Sequence, residues 1–219
     1  VRTLWIDEMD RRPVAIVPEK VAQVRLTPLL EADARFAGFT LNAKRVHVRA
    51  RSAGGFEVVC LQALKGAQFV LKWGLSLPYV PDGWWTSKVR WHRDAKNAHF
   101  DLFERCQREE HHEFGVDGLH GTVAFEASLE RAWRGLRDQI ASWFSRAVTD
   151  EGAVQITCEE FAPTGFRGCA PPREVVRAFI YAHHGQAEEA MRALDRFDTS
   201  PEDAAALRKA LARVLSERH

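Results

Sequence analysis

The chain has 219 residues, 46% of them hydrophobic and 28% charged, with 31 Lys and Arg against 30 Asp and Glu. That balance belongs to a globular chain able to bury a full core, and it excludes a disordered or strongly polybasic one. With a net charge of +1, attraction to nucleic acid or a membrane surface has to come from local clustering.

Cys60, Cys106, Cys158 and Cys169 form no CxxC pair, and Cys60 falls in an apolar strand. Reduced thiols and a cytoplasmic location are expected. The opening VRTLWIDEMDRRP lacks the apolar stretch of a secretory signal. No run approaches the roughly 18 apolar residues of a membrane span, so no membrane partner is expected.

In chain order, Pro13–Val17 reads as a short strand or irregular segment. A helix follows over Glu19–Arg35. Pro28 either kinks it or starts a second helix, with Thr27 as the cap. Residues 45–51 alternate: Val46, Val48 and Ala50 on one face, Arg45, His47, Arg49 and Arg51 on the other. This predicts a half-buried strand with a basic outer face. After the Ser52–Gly55 turn, Phe56–Leu64 is apolar on both faces, as a central strand is. Gln68–Leu77 places Phe69, Leu71, Trp73 and Leu75 on one face, with Lys72 opposite. Pro78 and Pro81-Asp82-Gly83 break the chain. Thr86–His92 alternates again, with Lys88, Arg90 and His92 outward and Val89 and Trp91 inward. Three hairpin-like connections in a row predict an antiparallel meander.

Residues 93–123 are polar, with an edge strand expected over His111–Val116. Ser128–Val148 carries the clearest helical stripe, including Leu129, Trp133, Leu136, Ile140, Trp143 and Phe144. Residues 153–171 read as a loop or boundary. Three helices follow: one ended by Gly185, one over Ala187–Phe197, and one capped by Ser200 with Pro201 at its first position. The expected architecture is α+β. Residues 1–150 form an antiparallel β-meander with helices on one face, and 151–219 form a helical C-terminal subdomain.

No motif carries catalysis. Gly74-Leu75-Ser76-Leu77-Pro78 lacks the final glycine of a nucleophile elbow. The adjacent pairs Glu109-Glu110 and Glu159-Glu160 diverge, whereas acid–base chemistry needs converging carboxylates. His111, His112, Glu113, Asp117 and His120 are metal-ligand types without HExxH or finger spacing; they read as a solvated edge, or alternatively as a metal-dependent hydrolase site. His183 and His184 sit at a helix C-terminus, where the dipole favours a cation, and His183 also lies on that helix's apolar stripe. No catalytic residue, metal ligand or cofactor is assigned.

The basic strand face stands out. Arg45, His47, Arg49 and Arg51, joined by Lys72, Lys88, Arg90 and His92, would form one positive patch if their faces align. Like charges on neighbouring strands cost stability, so acids within the chain (Glu57, Asp101, Glu104, or Glu109 with Glu110), an acidic protein partner, or nucleic-acid phosphates should offset them. Trp84 and Trp85 beside the turn are candidate anchors at the rim, because Trp is enriched at binding hot spots. The function expected is a non-enzymatic binding protein, in one form an immunity-type inhibitor of an acidic partner, with nucleic-acid binding on the same face as the alternative.

The order of features also resembles a bacterial α+β family known only as a domain of unknown function. The shared marks are Gly38-Phe39 before a basic strand, Leu61-Gln62, Phe69-Val70-Leu71-Lys72-Trp73-Gly74-Leu75, and Trp143-Phe144 late in a long helix. The resemblance spans about residues 18–148. It implies the fold and no site.

Overall fold

In the computed structural model, which describes residues 16–85, 88–91, 94–106, 114–159 and 165–217, two long strands carry the sheet. Phe56–Leu64 (β3) pairs in full antiparallel register with Gln68–Ser76 (β4) across the Lys65–Ala67 turn. Thr40–Leu41 (β1) and His47–Ala50 (β2) extend one side. On the other lie Leu102–Cys106 (β7) and Gly165–Cys169 (β9), and Val116–Asp117 (β8) also pairs with β4. Every pairing in this seven-stranded sheet is antiparallel. Gly83–Trp85 (β5) and Lys88–Arg90 (β6) form a separate two-stranded ribbon. Six helices among the described residues complete an α+β fold: Glu19–Glu31 (α1), Gly121–Arg146 (α2), Asp150–Cys158 (α3), Arg173–His184 (α4), Ala187–Leu194 (α5) and Pro201–Ser216 (α6).

Directly paired residues share a face in an antiparallel sheet. The row His47, Val59, Trp73, Glu104, Arg167 therefore faces one way, as does the row Arg49, Glu57, Leu75, Leu102, Cys169. This face carries the main core. Leu26 and Leu30 of α1, Phe125, Leu129, Trp133, Leu136 and Ile140 of α2, and Phe179, Leu207 and Leu211 of the last helices belong to it with Trp73 and Leu75. The opposite face has a smaller cluster, Val48, Val58 and Cys60 under Ala98 and Phe100. Gly74 faces Phe103 across β4–β7, where a Cβ would lie 2.1 Å from the Leu102 carbonyl oxygen, so no larger residue fits without parting the strands.

Several expectations change. Helix α1 runs through Pro28 without a break and stops at Glu31; Ala34–Phe36 is a separate 3-10 turn capped by Asp33. Thr27, expected as a cap, instead bonds His47 through its hydroxyl. Helix α2 starts seven residues before the expected Ser128. Residues 153–171, read as a loop, supply most of α3 and all of β9, so the C-terminal segment adds a strand to the sheet. Gly185 ends α4 in the left-handed conformation, φ 85°, and the Ser200 hydroxyl accepts from the Asp203 amide at 3.2 Å; both match the sequence signals. No helix among the described residues is long and apolar enough to cross a membrane.

Candidate functional site

The expected basic face does not assemble. His47, Arg49 and Arg51 lie on the helix-covered side of the sheet, and Lys72 lies on the other. The alternation of β2 is as expected, but the opposite face from the one assumed turns toward the larger core. His47 is fully buried and bonds Thr27 Oγ1 through Nε2 at 2.9 Å. Burial pushes its pKa down to about 4, with the Val59 backbone opposing. Arg49 donates to Glu57 and to the Arg35 and Ala37 carbonyls, and lies over the Phe39 ring. Burial raises the Glu57 carboxyl and the Arg49 charge opposes that rise. Lys72 Nζ sits 3.7 Å from the Phe103 centroid and 4.2 Å from that of Phe100, and burial lowers its pKa.

Arg45 is exposed in the turn before β2, at φ 61°, and Arg90 is exposed in the β5–β6 ribbon. Trp84, Trp85 and Lys88 pair there as backbone, while His92 lies outside the described residues. Of the acids weighed as offsets, Glu57 pairs with Arg49, Glu104 with Arg167 at 2.9 Å, and Asp101 accepts from the Leu77 amide; Glu109 and Glu110 lie outside the described residues.

Arg51 leads to a cluster that the sequence did not reveal. Its side chain is wholly buried, and its three nitrogens reach the Ala147 carbonyl, the Gly54 carbonyl and Asp150. Asp150 opens α3 beneath the Thr149 cap. Its carboxylate accepts from Arg51 at 3.0 Å, from the Tyr79 hydroxyl at 3.1 Å and from His183 Nδ1 at 2.6 Å. Burial alone would raise the Asp150 carboxyl, but the His183 bond and the Arg51 charge outweigh it and hold it below the usual carboxylate range. Tyr79 and His183 stack with centroids 3.8 Å apart and planes 8° from parallel. Burial and the Asp150 charge keep the Tyr79 phenol protonated far above its ordinary range. His184 pairs in turn with Glu151 at 2.7 Å. The two histidines therefore fasten the C-terminus of α4 to the N-terminus of α3, beyond any dipole effect.

The cluster borders a cleft of about 350 Å³ between the Pro78-Tyr79 segment, Trp91 and the end of α6, with Arg213 and Val214 from the helix and Glu217 just past it. Trp91 packs edge-on to Phe179, with the Arg213 guanidinium 5.6 Å from its ring centroid. Arg213 Nε donates to Glu217 at 2.6 Å. His183 is 29% exposed, and its Nε2 makes no hydrogen bond to a described residue and is not shut off from solvent. That open nitrogen distinguishes this cleft from one of about 440 Å³ on the opposite face, where Asp82 already holds His99 at 2.7 Å.

Compared with protein families, curated proteins and solved structures, the chain matches none. Among the described residues no group of three His, Cys, Asp or Glu side chains is placed to hold a metal ion. Asp117 and His120 pair with each other at 2.6 Å, and His111, His112 and Glu113 lie outside the described residues. The signal that could have found the cluster is Tyr79, three residues past β4: an aromatic with a hydroxyl after an apolar strand calls for a buried partner.

Proposed function

We propose that the protein is a non-enzymatic binding protein that seats an acidic protein partner at the cleft between Trp91 and α6, an immunity-type inhibitor being one form of that role. The observation that carries this reading is the cleft itself. It presents an aromatic wall, an arginine and an imidazole nitrogen that makes no hydrogen bond to a described residue; tryptophan, tyrosine and arginine are the residue types that dominate binding hot spots. In this reading the recognition surface is moved from the β2 arginines to the cleft lined by Tyr79, Trp91, His183 and Arg213. The resemblance to a family of unknown function is consistent with the fold and silent on the site.

The test is capture with the purified chain as bait. Trp91→Ala and Arg213→Glu should each remove the captured protein, while Arg45→Glu, on the exposed turn, should not. A partner that ignores Trp91 and Arg213 and is lost with Arg45 overturns the assignment of the cleft.

A further inference from the structure

We infer that the cleft recognises a carboxylate, held between His183 Nε2 and the Arg213 guanidinium with an apolar group behind it against Trp91. The inference rests on the cleft being the recognition site, and it names the chemistry that the site selects. Asp150 is ionised and saturated by three donors, one of them His183 Nδ1–H. The imidazole is clamped at one edge by that carboxylate and on one face by Tyr79. Its remaining nitrogen makes no hydrogen bond to a described residue, and His183 lines the cleft.

Arg213 is positioned in the same way. Glu217 takes its Nε, while the two terminal nitrogens make no bond to a described residue, leaving the paired donor geometry that matches a carboxylate.

The charged groups around the site are Asp150 with Arg51, Glu217 with Arg213, and Glu151 with His184, and the Tyr79 phenol is neutral. Binding is non-covalent.

The experiment is calorimetric titration of the full chain with phenylacetate, phenylacetamide, inorganic phosphate and an end-blocked Phe-Glu-Phe peptide. Phenylacetate or the peptide should saturate one site at a millimolar-range affinity of about −4 kcal/mol, and phenylacetamide should not bind. Tighter binding of the peptide identifies a protein-borne carboxylate; tighter binding of phenylacetate identifies a free one. His183→Gln should weaken binding about tenfold. Arg213→Gln, on an exposed helix face, should weaken it similarly with the melting temperature unchanged. Equal binding of the amide, a preference for phosphate, or binding unchanged in both variants overturns the inference. If phenylacetate and the peptide both fail while partner capture still depends on Trp91 and Arg213, the carboxylate assignment falls and the binding role stands.

Discussion

His47 makes the stability of this fold depend on pH in a way that can be worked out beforehand. The ring is fully buried between β2 and α1, with Nε2 on the Thr27 hydroxyl. Its pKa is lowered from 6.5 to about 4 because burial penalises the cation. In the unfolded chain the imidazole takes up a proton below pH 6.5; in the folded chain it resists until about pH 4. Its neutral form therefore contributes full stability above the unfolded value. That stability is lost as pH falls through the window between the two pKa values, and the loss levels off below the folded one. A gap of about 2.5 units corresponds to about 3 kcal/mol in all, at roughly 1.4 kcal/mol per unit. About 2.5 kcal/mol of this should be gone between roughly pH 7.5 and 4.5. The assay is urea unfolding at several pH values in that window, for the wild type and for His47→Gln, which keeps a group able to bond Thr27 and cannot titrate. Carboxylates and the other histidines contribute to both profiles, so the difference between the profiles isolates His47. Parallel profiles, differing by less than about 0.5 kcal/mol, refute the argument.

Four further outcomes follow from the same packing. Asp150→Asn leaves the buried Arg51 guanidinium without its counter-charge and should cost about 3–5 kcal/mol in denaturant unfolding. Glu104–Arg167 and Asp195–Arg208 are both 2.9 Å pairs, the first 1% exposed on each side and the second about half exposed. Arg167 keeps Glu159 at 2.7 Å, so Glu104→Gln should cost about 2–3 kcal/mol and Asp195→Ala less than about 1 kcal/mol in the same assay. Gly74→Ala forces a Cβ against the Leu102 carbonyl and should lower stability by about 3 kcal/mol, with the loss of amide-exchange protection centred on β4 and β7. Lys72→Met exchanges a half-buried ammonium over Phe100 and Phe103 for an apolar chain of similar length. Unfolding should shift by less than about 1 kcal/mol, because the lost cation–π contact is offset by the desolvation no longer required.

The parts of the fold that were legible in the sequence are those where one face is wholly apolar. Phe69, Leu71, Trp73 and Leu75 alternate into the core, and the Leu129–Phe144 stripe of α2 lies over them, as their spacing requires. Strands β7 and β9 were illegible because each turns a charge inward. Glu104 sits between Leu102 and Cys106, and Arg167 sits in a strand of two glycines, so neither shows an apolar row. The two residues pair across the strands, and pairing of this kind is a tertiary fact with no local trace. Strand β2 failed for the same reason. Its alternation was correct, but alternation separates two faces without saying which is covered, and arginine was assigned to water by habit of composition.

What allows β2 to turn its cations inward is the set of groups they meet. Three arginines on or under the helix-covered face, Arg49, Arg51 and Arg167, meet the carboxylates Glu57, Asp150 and Glu104, and Arg167 also meets Glu159. Further donors of Arg49 and Arg51 go to main-chain oxygens at helix ends, where carbonyls lack a partner within their own helix. Arg51 Nε takes the carbonyl of Ala147, the residue that closes α2, and Arg49 takes those of Arg35 and Ala37, where the 3-10 turn ends. A guanidinium carries five donors in a fixed plane, so one arginine can bind a strand, a helix end and an acid at once. A lysine in the same place could not reproduce that geometry. The guanidinium donors of Arg49 and Arg51 are thus engaged in holding α2, α3 and the turn after α1 to the sheet. The recognition we propose in the cleft beside α6 accordingly rests on His183 and Arg213 instead of the β2 arginines.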